Sequence, residues 1–299
     1  MLIPDTANNR ILRYDPVAGI SLGQIAYSAP RHVAAVAGDP MAVVTATYGT
    51  RQLNYSTGER GKFTNLGTWS SVITGNAASP YLVIAGTQIS ILNSNLGLVG
   101  STALPAGVTL SHLVKVGGGR FRGIGRNATG DIVTTLYDSS YAQVGSASTL
   151  IPASSTSIND PIGQPTYWLN NGGSPFFSFV FRTNASNLNI HRVSMNDGFT
   201  ISATANQSLS GFFSGADLIP SMVTGHNAIY CVGTNSGGTG LQITEFAAVT
   251  SLIATTSTTI SGMTAPTGNW GLANVVAPEP EAWAALSLGL AALMCRRKK

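Results

Sequence analysis

The chain has 299 residues, of which 9% are charged, 43% are hydrophobic and 34 are glycine. That apolar content excludes a disordered chain, and the shortage of Glu, Lys and Arg excludes a coiled coil. Four of the 16 basic residues and two of the 12 acidic ones crowd the last 21 positions, so the formal charge of +4 leaves a near-neutral body rather than a nucleic-acid footprint.

A weakly charged chain rich in Gly, Ser, Thr and Asn fits an exported all-β protein. Short apolar runs of strand type recur from the first residue onward: Met1-Leu2-Ile3-Pro4, Met41-Ala42-Val43-Val44, Tyr81-Leu82-Val83-Ile84, Arg120-Phe121-Arg122-Gly123-Ile124, Phe176-Phe177-Ser178-Phe179-Val180 and Ala228-Ile229-Tyr230-Cys231-Val232. Their starts are separated by 40, 40, 39, 56 and 52 residues, and the longer gaps hold insertions, chiefly the polar stretch Ile151 to Pro175. A period near 40 built of short strands marks propeller blades, each a four-stranded antiparallel sheet. After each run come a polar turn and a strand of mostly alternating character, at Arg10–Tyr14, Arg51–Tyr55, Gln88–Leu92, Ile132–Tyr137, Leu188–Val193 and Leu241–Phe246. Weak outer strands close each unit.

Ahead of the runs lie further candidate strands: Arg31–Ala37, Trp69–Thr74, Ser111–Val116, Pro165–Leu169 and Pro220–Thr224. A sixth, Gly268–Val275, has no unit after it, and the unit at Met1 has no strand before it. Ring closure resolves both: 268–275 pairs with the N-terminal strand and spares the ring two unpaired edges. The predicted fold is therefore all-β, a six-bladed β-propeller over residues 1–276. Residues 277–299 form a separate segment with a short hydrophobic helix.

The stretch Pro4-Asp5-Thr6-Ala7-Asn8-Asn9-Arg10-Ile11-Leu12-Arg13-Tyr14-Asp15 resembles the repeat of NHL-type propellers through Asp5, Asn8, Asn9, Arg10 and Ile11. The other five units keep the strand spacing and lose the Asp and Asn positions. The resemblance implies architecture and no ligand. Asp5, Asn8, Asn9 and Arg10 are read as structural, tying down the turn backbone.

The end of the chain has three unlike features in order. These are the motif Pro278-Glu279-Pro280, an apolar segment around Ala282, Trp283, Leu286, Leu288, Leu290 and Leu293, and the basic terminus Arg296-Arg297-Lys298-Lys299. This closely resembles the PEP-CTERM sorting signal of bacterial surface proteins. The resemblance implies recognition at Pro278-Glu279-Pro280 by a membrane-embedded exosortase-type protease and removal of the tail. The apolar segment is short against the ~20 residues of a typical span. The basic end would stay cytoplasmic and place the propeller outside, anchored at least transiently through the C-terminal helix. Met1-Leu2-Ile3-Pro4-Asp5 has neither the basic n-region nor the apolar core of a signal peptide, so a leader is expected upstream of Met1.

Catalytic patterns are sparse. Gly19-Ile20-Ser21-Leu22-Gly23 fits the nucleophile-elbow letters but opens an outer strand with no helix after it. Gly123-Ile124-Gly125-Arg126-Asn127-Ala128 fits a dinucleotide fingerprint by letter, again with no helix to follow. Lys115, Arg120, Arg122 and Arg126 read as a solvated turn rather than a polyanion site. Cys231 reads as a small core residue, Cys295 belongs to the tail, and no Cys/His spacing suits zinc. His32, His112 and His226 fall on candidate inner strands and could meet in the central channel, whereas His191 does not. The expectation is a non-enzymatic surface module, without cofactor or metal, whose partners are an exopolysaccharide or an envelope protein and not nucleic acid. A channel-centred hydrolase or lyase using His32, His112 and His226 is the alternative.

Overall fold

The computed structural model describes residues 1–35, 39–65, 69–76, 79–170, 172–215, 218–225, 228–247, 252–263, 265–266 and 270–273. Among the described residues, twenty-three strands fall into six antiparallel sheets. Blade 1 contains β1 (Leu2–Asp5), β2 (Arg10–Asp15) and β3 (Ile20–Ala26), and blade 2 contains β4 (Pro30–Ala35), β5 (Met41–Ala46), β6 (Gly49–Asn54) and β7 (Arg60–Thr64). Blade 3 is β8 (Trp69–Asn76), β9 (Ser79–Ala85), β10 (Gln88–Leu92) and β11 (Leu98–Ala103). Blade 4 is β12 (Val108–Lys115), β13 (Phe121–Asn127), β14 (Ile132–Tyr137) and β15 (Gln143–Ile151). Blade 5 is β16 (Thr166–Leu169), β17 (Pro175–Arg182), β18 (Leu188–Asn196) and β19 (Thr200–Ser208), and blade 6 is β20 (Ser221–Gly225), β21 (Ala228–Thr234), β22 (Gly240–Ala247) and β23 (Ile253–Ser261).

The fourth strand of blade 1 comes from the other end of the chain. Leu2 pairs antiparallel with Ala273, with Leu2 N–H donating to the Ala273 carbonyl at 2.8 Å and Ala273 N–H returning the bond at 3.2 Å. The ring is therefore closed by main-chain hydrogen bonds between β1 and the last described segment, 270–273.

Burial explains the repeating pattern. The second strand of each blade is covered on both faces by its neighbours, so β21 is buried at every residue and reads as an unbroken apolar run. The third strands alternate, as in β2 and β18, and the outer strands are exposed. β23, Ile253-Ala254-Thr255-Thr256-Ser257-Thr258-Thr259-Ile260-Ser261, keeps β-branched residues for strand propensity while offering hydroxyls to water. Six hydrophobic clusters lie one at each junction between adjacent blades. The junction between blades 6 and 1 packs Ile3, Leu12, Tyr230, Val232, Leu241 and Trp270 together. Trp270 is 1% exposed and its indole N–H reaches the Ile219 carbonyl at 3.0 Å, so a large ring is buried with its polar atom satisfied.

Candidate functional site

The turn from Asp5 to Arg10 is knitted by its own side chains. Asp5 is fully buried and accepts from Arg10 Nε at 2.7 Å, from Asn8 Nδ2 at 2.9 Å and from the Asn8 main-chain N–H at 3.3 Å. Asn9 adopts φ 52 and its side-chain oxygen accepts from Ala29 N–H at 2.9 Å. Every polar atom of this carboxylate faces the turn, so these residues hold the entry into blade 2.

The axis of the ring is filled. Gly271 N–H donates to the Arg31 carbonyl at 3.0 Å, and Val33 N–H donates to the Gly271 carbonyl at 3.2 Å, so the closing strand of blade 1 also pairs parallel with β4. From the opposite side Gln164 gives its side-chain amide to the Leu272 carbonyl at 2.9 Å, and Ser221 Oγ donates to the Trp270 carbonyl at 3.0 Å. A Cβ on Gly271 would lie 1.9 Å from Gln164 Oε1 and 2.9 Å from the His32 ring. A side chain there would displace the Gln164 amide and press on the His32 ring. A cavity of about 140 Å³ remains toward the C-terminal ends of the inner strands, lined by Val33, Ala35, Val72, Thr74, Gln164 and Ala273.

His32 and His112 do meet in this axis, with ring centroids 5.5 Å apart and 2% and 0% of their surfaces exposed. His112 Nε2 donates to the Ile162 carbonyl at 2.8 Å, which leaves Nδ1 as its lone-pair nitrogen. That Nδ1 and both nitrogens of His32 lack hydrogen-bond partners. Burial lowers the pKa of His112 to about 4. It drives that of His32 well below the ordinary histidine range, helped by His112 and Arg31. Both rings are therefore neutral at pH 7. His191 lies elsewhere, buried against Phe179 and Phe181 with Nδ1 on Asn206 Oδ1 at 2.6 Å. His226 and Asp217 lie outside the described residues. Asp39 accepts from Met41 N–H at 2.8 Å. Among the described residues no three His, Cys, Asp or Glu side chains form a metal-holding group.

The four cations expected on a solvated turn are instead mostly committed to carbonyls and a ring. Arg122 is 6% exposed and grips the Phe199 carbonyl of blade 5 through Nη2 at 2.6 Å and Nε at 3.1 Å. Arg120 lies over the Phe199 ring, its Cζ 3.7 Å from the centroid. Arg126 donates to the Gly130 and Ser157 carbonyls, each at 2.8 Å, and Lys115 to the Gly75 carbonyl at 2.9 Å. Blade 5 supplies acceptors that a reading of the turn alone does not include. Cys231 is buried in β21, and desolvation pushes its thiol pKa upward.

A second concavity was not singled out by the sequence. Between blades 1 and 2, Tyr27, Ser28, Ala46, Tyr48, Gly49, Arg51, Arg60 and Phe63 enclose about 170 Å³. Tyr48 and Phe63 are 72% and 50% exposed, an unusual position for two large rings in one groove. Arg51 stands over Phe63 with its Cζ 5.2 Å from the ring centroid, and Arg60 over Tyr27 at 5.6 Å. The contributing residues come from the β3–β4 linker, the end of β5, the β5–β6 turn, β6 and, across a register shift, β7. The signal available in the sequence was an aromatic in a tight turn, Tyr48-Gly49.

Pro278, Glu279, Pro280, Ala282, Trp283, Leu286, Leu288, Leu290, Leu293, Arg296, Arg297, Lys298 and Lys299 lie outside the described residues, as does the proposed C-terminal helix. Among the described residues no helix is long and apolar enough to cross a membrane. No protein-family model and no curated protein matches the sequence. Solved structures share the architecture, these two among them. A protein of unknown function from Bacteroides caccae aligns at TM-score 0.53 and 12% identity, over 85% of this chain and 93% of that one. An arginine-to-alanine triple mutant of AofleA from Arthrobotrys oligospora aligns at TM-score 0.58 and 12% identity, over 89% and 83%. At that identity the likeness shows the fold, a six-bladed β-propeller.

Proposed function

We propose that this chain is an exported bacterial surface or matrix propeller that binds saccharide in the groove between blades 1 and 2. It does so without catalysis, and its C-terminal segment serves as an exosortase sorting signal. The groove carries the reading. Aromatic faces left in water are costly unless something covers them, and sugar rings offer matching C–H faces. Guanidinium N–H groups and the Ser28 hydroxyl supply donors for ring hydroxyls at the rim. Export and sorting rest on the tail motif and on a composition poor in charge.

The rival channel-centred hydrolase draws support from the meeting of His32 and His112. Their burial speaks against it, because a general base must come within hydrogen-bond reach of its substrate. A glycan array probed with the purified chain tests the proposal. The expected result is binding to a saccharide subset, lost in the Tyr48→Ala Phe63→Ala double variant. A blank array together with hydrolysis of a lactone or glycan would overturn it in favour of the enzyme. Sorting is tested separately, by deleting 278–299 and measuring release of the protein from the envelope into the medium. Equal cell association of both forms would refute the anchor.

A further inference from the structure

We infer that the saccharide taken by the groove between blades 1 and 2 is acidic, carrying a uronate-type carboxylate; this rests on the saccharide reading above. The two guanidiniums on the groove are the reason. Among the described residues, the Arg51 side chain makes no hydrogen bond or ion pair, and Arg60 commits one side-chain N–H to the Ala26 carbonyl at 3.1 Å. Each still presents most of its five donors. No Asp or Glu lines the cavity, so two positive charges share a partly enclosed space without compensation. The contrast within the molecule is direct: Arg10 and Arg182 each pair with a carboxylate, Asp5 and Asp160.

Both guanidiniums also lie over aromatic rings. Each stands within cation–π range of a ring, Arg51 over Phe63 and Arg60 over Tyr27, which leaves its N–H edge available for bidentate capture of a carboxylate. Their fields act on the Tyr27 phenol as well, opposing the upward push that burial gives its pKa. Gly49 completes the cradle. With φ +126, a Cβ there would stand 2.9 Å from the Phe63 ring and 2.7 Å from the Thr64 carbonyl. The turn therefore needs glycine for the ring to lie where it does.

The propeller does not require this equipment for its own sake. The corresponding groove between blades 3 and 4 is larger, about 470 Å³, and is walled by Thr87, Leu104, Pro105, Val108, Asn127 and their neighbours. It has neither an aromatic ring nor a charge. Aromatic rings and cations occur together in the blade 1–2 groove, where stacking and charge would act on one ligand.

The test uses the full chain in mild detergent and three probes in a titration calorimeter: oligogalacturonate, the same oligosaccharide with its carboxylates methyl-esterified, and polyglutamate. The acid is expected to bind at least about tenfold tighter than its ester, with the preference shrinking as salt rises. In Arg51→Gln and Arg60→Gln the ratio of acid to ester affinity falls toward one. Equal affinity for acid and ester would overturn the charge inference and leave the saccharide reading standing. Equal binding of polyglutamate would overturn it too, as attraction for any polyanion. Failure to bind either sugar, alongside a blank glycan array, would remove the saccharide reading itself. The comparison of acid and ester in the unaltered chain needs no variant to fold.

Discussion

Acid should unfold this propeller from its axis outward, and His112 sets the scale. In the unfolded chain its pKa is about 6.5, whereas burial in the folded ring lowers it to about 4. As pH falls below 6.5 the unfolded state takes up the proton first, so stability present above that value drains away until pH passes the folded pKa. The full difference corresponds to about 3 kcal/mol, and at pH 5 about 2 kcal/mol is already gone. His32 shifts in the same direction and adds to the loss. Urea unfolding followed by tryptophan fluorescence at pH 7.5 and pH 5 measures it. His112→Gln removes this ionisation and relieves His32 of its neighbour. The variant should therefore lose about 2 kcal/mol less than the parent between the two pH values, whatever its stability at pH 7.5. His191 and the turn carboxylates are common to both proteins and drop out of the comparison. Equal losses in the two proteins would refute the assignment of the acid sensitivity to the axis.

Gly271→Ala should lower stability by about 1–3 kcal/mol, because its Cβ would push the Gln164 amide from the Leu272 carbonyl and crowd the buried His32 ring at 2.9 Å; an unchanged melting temperature would show that the axis can give way. Arg122→Ala removes a bidentate grip on the Phe199 carbonyl and should cost about 1–3 kcal/mol, read from urea midpoints. Tyr48→Ala, at a side chain 72% exposed, should leave the melting temperature within about 2 °C of the parent. The same change should weaken saccharide binding about tenfold in calorimetry.

Why the blades were legible and the axis was not follows from how each is built. A strand such as β21 sits between two neighbours and must be apolar on both faces, so it leaves an uninterrupted run in the sequence. The closing strand was legible through the mismatch in strand count at the two ends. The axis, in contrast, is assembled from single residues. Gln164 arrives from a polar insertion whose composition looks like any loop, and its partners are main-chain carbonyls, which have no sequence signature. The cations of blade 4 escape a reading of the turn for the same reason, since Arg122 uses the Phe199 carbonyl of blade 5 and Lys115 the Gly75 carbonyl of blade 3. The blade 1–2 groove draws on Tyr27, Tyr48, Arg51, Arg60 and Phe63 at no constant spacing. His32 and His112 were legible as inner-strand residues, but their surroundings, Gly271 beside His32 and the Ile162 carbonyl on His112, come from distant parts of the chain.

The closing strand also determines how the ring bears tension. A pull applied to the chain beyond residue 273 arrives first at a segment held on one edge by Leu2 and on the other by Arg31 and Val33. Side-chain attachments from Gln164 and Ser221 reach the same segment from blades 5 and 6. Those bonds share the load and must fail nearly together, so force entering at this end is spread over blades 1, 2, 5 and 6 rather than peeling one sheet. A tether on that side would hang the propeller from the point where the most blades meet.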